Sequence, residues 1–416
     1  MKRVLVLGSG TAGTIVVNKL HHRLPRDWEI QVVDPATDHL YQPGLLFVPF
    51  GRNRPEDLRK PTASVLPSDV RRFEAAVGRV LPDDGKVELE DGTVIEYDQL
   101  VIATGTTPRP DQTAGMTGPG WRESIHEFYS YEGAIALRSA LEGFTGGRLA
   151  VHVCEMPIKC PVAPLEFAFL ADDYFTERGI RDRVSITYVT PLSGAFTKPV
   201  AAQHLGKMLA DRDIELEADY YVESMSAKSM VSFDERSIDF DLLVTVPVHM
   251  GEAFVGEAGL GDELDHVRVD RGNFLASGYD NIFAIGDAAA LPISKAGSVA
   301  HFAADVFVEN FLEHIAGRPM PRVFDGHANC FVESGDGKAL LIDFNYDTEP
   351  LPGKYPVPGL GPLSLLKETR SNHWGKIAFE KLYWHVLLPG RPLPVPNEMS
   401  MAGKVPTRIE ESDRND

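Results

Sequence analysis

Arg3-Val-Leu-Val-Leu7, Gly8-Ser-Gly10-Thr-Ala-Gly13 and Glu29-Ile-Gln-Val-Val33-Asp34 decide the fold. The first is a continuous apolar run, as expected of a strand buried on both faces in a parallel sheet. The second is a GxGxxG loop, and an amphipathic helix is expected after it through Leu24. The third is another apolar strand, and it ends on Asp34, 21 positions after Gly13. Each element has a physical role at a dinucleotide. Gly8 allows the tight turn, Gly10 lets a pyrophosphate approach, and Gly13 allows close helix packing. Thr11 and Ala12 begin the helix whose N-terminus faces the phosphates, and Asp34 would accept from a ribose hydroxyl. A lone GxGxxG is weak, and an ordinary glycine-rich βα turn is its bland reading. The strand–loop–helix–strand–acid order favours a dinucleotide site.

Length and composition bound the rest. A chain of 416 residues with 43% hydrophobic residues supports two or three domains. A net charge of −19 argues against a nucleic-acid partner, which needs a basic face. Three cysteines cannot form a disulfide scaffold. The opening apolar run is too short for a secretory signal and leads straight into the glycine loop. No stretch is long and apolar enough to cross a membrane, and no repeat of 20–50 residues is visible.

Two later strands choose between dinucleotides. Tyr97-Asp-Gln-Leu-Val-Ile-Ala-Thr104-Gly105 ends in Ala-Thr-Gly, and Asn281-Ile-Phe-Ala-Ile-Gly286-Asp287 ends in Gly-Asp. Between them the order strand, helix, strand, helix suggests a second Rossmann-like unit. Helices are expected over Tyr131–Leu141 and Pro164–Arg178 and near Pro199–Arg212, with strands at Arg148–Val153 and Val184–Val189. Its first βα turn would carry glycines if it bound a pyridine nucleotide. Instead it reads Cys154-Glu-Met-Pro-Ile-Lys-Cys160-Pro-Val-Ala-Pro-Leu-Glu166, with three prolines and no glycine. Prolines stiffen the turn and leave no side-chain-free backbone to cradle a pyrophosphate. Residues 39–49 are apolar and proline-broken, suiting a core loop or a cover over a flavin. Residues 70–97 alternate around Asp83-Asp-Gly85 and Asp91-Gly92, as hairpin strands do. Residues 106–122 read as a crossover between domains.

After Asp287, a helix N-terminus near Ala296 and Lys295 could support negative charge on a reduced flavin, although an exposed turn lysine is the commoner explanation. Cys330 stands beside turn residues, not inside an apolar run. Residues 351–394 are basic in an acidic chain, with Lys354, Lys367, Arg370, Lys376, Lys381 and Arg391. Phe379, Leu382, Tyr383, Val386 and Leu387 repeat at helical spacing, flanked by Trp374 and Trp384. Such a segment, about 360–391, reads as a helix lying in a membrane surface, or as a helix packed on the core. Residues 395–416 are polar and are expected to be disordered.

Taken together, the glycine loop, the Ala-Thr-Gly and Gly-Asp strands, Cys160-Pro-Val-Ala-Pro164, the Lys295-Ala-Gly297 turn, Cys330 and the amphipathic end resemble sulfide:quinone oxidoreductase. This family lies in the two-dinucleotide-binding flavoprotein superfamily, near the flavin subunit of flavocytochrome c sulfide dehydrogenase. The resemblance covers about residues 1–394. It implies an α/β fold with two Rossmann-like dinucleotide-binding domains and a C-terminal membrane-associating segment. The divisions would be 1–105 and 246–325 for the FAD domain, 106–245 for the second domain, 326–394 for the C-terminal domain and 395–416 for the tail. FAD would be held by Gly8, Gly10, Thr11, Ala12, Gly13, Asp34, Thr104, Gly105, Gly286, Asp287 and Lys295. Residues 106–153 lack the cysteine that links FAD covalently in many members, so non-covalent FAD is expected. The redox pair would be Cys160 and Cys330, with Glu166 a candidate proton handler and no metal. Cys154 reads as a small hydrophobe, or as a partner of Cys160. A histidine that some members carry after the next strand is missing from Thr190–Phe196.

The implied activity is oxidation of sulfide to sulfane sulfur or polysulfide, with electrons passed to a membrane quinone. The protein would be peripheral to a membrane, and a homo-oligomer is compatible. Three alternatives stand beside it. A sulfide:cytochrome dehydrogenase would be exported and partnered. A type-II NADH:quinone dehydrogenase would need glycines at 154–161. A non-catalytic redox sensor would use the cysteines only as a switch.

Overall fold

The computed structural model describes residues 1–393 and 396–405. Its first sheet is parallel throughout, in the order Ile282–Ala284, Gln99–Ile102, Lys2–Leu7, Trp28–Val33, Arg71–Phe73. Val4 to Leu7 are completely buried, as expected of a central strand with both faces covered. The strand breaks at Gly8 because the chain must turn with φ +93°, a region that disfavours any side chain. Helix α1 (Thr11–His21) then packs so closely that a Cβ on Gly13 would lie 2.0 Å from the Gly8 carbonyl oxygen. The helix stops at His21, short of the expected Leu24. Pro25 disfavours a helical residue before it, and the chain closes in a turn on Leu20.

Val77–Leu81, Lys86–Leu89 and Val94–Glu96 form the expected antiparallel hairpins. The chain leaves the first sheet through Thr107–Arg109 and returns through Val248–Met250, and these two strands pair with each other. Between them lies the second parallel sheet, in the order Ile125–His126, Leu242–Val246, Gly147–Val153, Val184–Val189, Ile214–Glu217. Its helices are α2 (Tyr131–Gly143), α3 (Ala163–Glu177) and α4 (Pro199–Ala210). Ser130 caps α2 by accepting from the Gly133 amide at 3.0 Å. Short α5 (Ala253–Glu257) follows the return, and α6 (Gly297–Ile315) begins where the Lys-Ala-Gly turn suggested.

The third unit is a four-stranded sheet of Ala328–Gly335, Lys338–Phe344, Gly361–Leu365 and Gly353–Val357, with α7 (Arg370–Leu382) against it. Three expectations need correction here. Cys330 lies inside a strand and is buried, because its turn-like neighbours Ala328 and Asn329 begin that strand. The apolar face Phe379, Leu382, Tyr383, Leu387 does not point outwards but packs on the protein core. Tyr383 and Leu387 are only 1% and 2% exposed, since the helix passes into a π-turn over Tyr383–Leu387. The exposed apolar residues are Trp374 and Ile377 on α7 and Val357 and Leu360 on the adjoining hairpin. Finally, the expected loose tail is in part fixed. Lys404 forms a buried ion pair with Asp343 at 2.5 Å, and the Met399 amide donates to Asp325. Residues 395 and 406–416 of that tail lie outside the described residues.

Candidate active site

The cavity of interest lies at the carboxyl ends of the first sheet, where open α/β sheets bind ligands. Gly10, Thr11 and Ala12 form one wall, Thr104 and Gly105 a second, and Gly286 and Asp287 a third. No atom lies within 4 Å of a Cβ built on Gly10, so its backbone faces open space. Gly286 has φ +69°, and a Cβ there would meet Ala12 at 2.7 Å. The Thr104 hydroxyl is buried without a partner. An open glycine backbone and a waiting hydroxyl fit a bound dinucleotide, which would use both. Asp34 holds the loop from behind: its Oδ2 accepts from the Ser9 amide at 2.5 Å and from the Ser9 hydroxyl at 2.8 Å. Gln42, Pro43, Leu45 and Leu46 cover the cavity, so the 39–49 loop is both cover and core.

Lys295 is a correction to the exposed turn lysine. It is 6% exposed and donates to the Asp287 and Ala289 carbonyls at 2.6 and 3.2 Å. Burial lowers its pKa to about 8, with the Asp287 carboxylate working against the shift. Burial likewise raises the Asp287 carboxyl, opposed by Lys295 and Lys159.

The cysteine stretch forms the far wall. Cys160 has φ +45°, unusual for a side-chain-bearing residue. Its amide donates to the Lys295 carbonyl at 2.6 Å, and its carbonyl accepts from the Ala163 amide at 2.8 Å. These bonds hold a conformation that costs roughly 1–3 kcal/mol. Cys330 arrives from the third sheet, close enough for charge on Cys160 to raise its thiol pKa further. Both are free thiols. Burial pushes the Cys160 thiol up to about 12, with Glu166 adding to it, while Lys376 pulls the other way. Cys154 is elsewhere. It sits in a separate core with Tyr220 and Phe240, near the Thr113 and Thr245 hydroxyls and His152. That position suits the small-hydrophobe reading.

Glu166 is completely buried on α3, with one oxygen accepting from Lys376 Nζ at 2.8 Å and from the Glu333 amide at 2.9 Å. Burial raises its carboxyl, opposed by Lys376. Burial works to lower Lys376, but Glu166 and Cys160 outweigh it and leave its pKa above the ordinary value. The sequence counted Lys376 among surface charges. Nothing local marks it, because its partner is 210 positions away.

Tyr383 was likewise missed as a site residue. Its hydroxyl lies 2.8 Å from Thr11 Oγ1 and 2.7 Å from His39 Nε2. His39 Nδ1 is 3.0 Å from the Ser9 carbonyl, which can only accept. Burial lowers the His39 pKa to about 4, so the ring is neutral. Nδ1 therefore carries the hydrogen, and Nε2 accepts from Tyr383. This network ties the C-terminal π-turn to the glycine loop. No metal-binding cluster occurs among the described residues.

Comparison with known proteins agrees with the fold. A mitochondrial sulfide:quinone oxidoreductase of Dictyostelium discoideum is 26% identical over 94% of this chain and 86% of its own. Type II NADH:quinone oxidoreductase of Staphylococcus aureus is 23% identical over 85% and 92%. The structure of sulfide:quinone oxidoreductase from Aquifex aeolicus superposes with a TM-score of 0.80 at 22% identity, covering 94% of this chain and 92% of that one. The family model of the pyridine nucleotide-disulphide oxidoreductases matches residues 2–305, and with most of its length inside that match the chain belongs to this family.

Proposed function

We propose that the protein oxidises sulfide at Cys160 and Cys330 and passes the two electrons through FAD to a quinone. One observation supports the reading: Cys160 lines the cavity that the dinucleotide loop opens into, and Cys330, from the third sheet, is near enough for the charge of Cys160 to act on it. FAD would be held without a covalent link by the Gly8–Gly13 loop, Asp34, Thr104, Gly105, Gly286, Asp287 and Lys295. Bound there, it supplies a two-electron acceptor that a quinone can reoxidise.

The chain's own groups do the rest. With the pair oxidised to a disulfide, hydrosulfide attacks one sulfur, the S–S bond breaks, and the other cysteine leaves as thiolate. Burial makes that thiolate a strong electron donor, because it disfavours the charge the thiolate carries. Lys376 offsets part of the penalty. Glu166 would take the sulfur-bound proton, which its buried, unpartnered Oε2 supports. The overall balance is HS⁻ + Q + H⁺ → S⁰ + QH₂, with the sulfur retained as sulfane or polysulfide. Anaerobic bleaching of the flavin tests this. Sulfide should bleach it within seconds and a short-chain quinone should restore it, while NADH should do neither. Bleaching by NADH alone would instead favour the NADH:quinone activity of the staphylococcal relatives. Bleaching by sulfide, with reoxidation by a cytochrome but no quinone, would favour the cytochrome-linked reading. No turnover with either donor would leave a redox sensor.

The membrane contact is proposed on the opposite face of α7 from the one its periodicity suggested. Trp374, Ile377, Val357 and Leu360 are exposed, and so are Lys354, Lys367, Arg370 and Lys381 of the same segment. No described helix is long and apolar enough to cross a membrane. Aromatic and basic residues together favour an anionic lipid surface. Trp374→Ala with Ile377→Ser should weaken sedimentation with anionic vesicles about tenfold or more and leave sulfide bleaching unchanged. Unaltered vesicle binding would remove this face from consideration.

A further inference from the structure

Beside the buried Glu166–Lys376 pair lies a second carboxylate that reaches the surface through a histidine. Glu333 lies three residues after Cys330 on the same strand and is 1% exposed. Both its carboxylate oxygens lie 3.0 Å from His373 Nδ1. The His373 side chain is 22% exposed and sits one turn before Lys376 on α7. The charges of Lys376 and Glu333 act on each other, and the Glu333 amide is already bonded to Glu166. Two bonded pairs, Glu166–Lys376 and Glu333–His373, thus stand beside each other, joined by the Glu333 amide's bond to Glu166, with His373 towards water.

We propose that Glu333 and His373 form the proton exit of the cysteine pair, with His373 as its solvent-side group. The inference rests on the sulfide reading and extends it. Hydrosulfide that becomes sulfane sulfur gives up two electrons and one proton. The electrons go to the flavin and then the quinone. The proton passes to Glu166, and Lys376 takes it while giving one of its own towards Glu333, so the ammonium charge is unchanged. Glu333 hands it to His373, which releases it to water. Burial raises the carboxyls of both Glu166 and Glu333, which makes each a better acceptor of a proton in transit.

A plain anchoring role for Glu333–His373 is the competing explanation. The start of α7 is already anchored, however. Thr369 caps the Asn372 amide, and the Asn372 side chain bonds to Ser364 through both its backbone groups and to the Lys367 carbonyl. A second anchor beside these is redundant, whereas a histidine between a buried carboxylate and solvent is suited to proton transfer.

The test uses the FAD-loaded enzyme and follows sulfide-driven bleaching by stopped flow, with and without added imidazole. In His373→Ala bleaching should slow about a hundredfold, and added imidazole should restore it. His373→Gln can still bond to Glu333 but cannot carry a proton, so it should be as slow as the alanine variant. Wild-type rates in His373→Ala, recovery in His373→Gln, or failure of imidazole to rescue would overturn the proposal. A wild-type enzyme that sulfide does not bleach would overturn the sulfide reading itself, a result distinct from any of these.

Discussion

Cys160→Ser and Cys330→Ser should each cut sulfide-driven quinone reduction by at least about a thousandfold while FAD stays bound. The size follows from the chemistry: a hydroxyl cannot form the disulfide that hydrosulfide attacks, and losing one member of a unit costs nearly as much as losing all of it. Retention of FAD follows from the structure. The cradle of Gly10, Thr104 and Gly286 belongs to the first sheet and its loops, whereas Cys160 and Cys330 come from the second and third sheets. Cys154→Ser should keep activity within severalfold of the wild type. It would replace a thiol that already sits between two threonine hydroxyls in a separate core. Visible absorbance of the purified variants reports bound flavin, and decylubiquinone reduction reports turnover. Equal loss in all three variants would mean the pair has been misassigned.

Lys376→Met should be the most destabilising substitution in the site, by about 3–5 kcal/mol, because it strands a buried carboxylate. Glu166 is completely buried and Lys376 only 13% exposed on its side chain, so water cannot replace the lost partner. Removing both charges together, as Glu166→Leu with Lys376→Met, should recover most of that stability and none of the activity. The pair therefore separates a folding contribution from a chemical one. Thermal melting and sulfide bleaching on the same samples would show it. If the double variant were no more stable than Lys376→Met, the ion pair would not be what holds α7 to α3.

How much of this could be read from the sequence depends on how local each signal is. The first sheet and its loop were legible because glycine, strand and acid requirements fall within about 30 residues of one another. The turn from Cys154 to Glu166 was legible as the entry to a helix for the same reason, since the proline that starts α3 stands within it. Periodicity on α7 showed that one face is apolar but not what covers it. Lipid and protein core impose the same spacing, and only the Thr11–Tyr383–His39 network shows that the core takes Tyr383. Lys376 and His373 were illegible because their partners, Glu166 and Glu333, lie 210 and 40 positions away. Cys330 was judged by hydrophilic neighbours, which a strand places at its end or on its other face.

The order of strands in the first sheet has a consequence for biosynthesis. Gln99–Ile102 has Ile282–Ala284 as its outer neighbour, about 180 residues later in the chain. At a ribosomal rate of roughly 5–20 residues per second, that edge stays unpaired for on the order of 10–40 s after it emerges. The second sheet spans residues 125–246 and can pair fully in the meantime. Nascent chains of this protein should therefore depend on chaperone cover over one half-built sheet, and slow translation between residues 103 and 281 should lower yield more than slowing after residue 284.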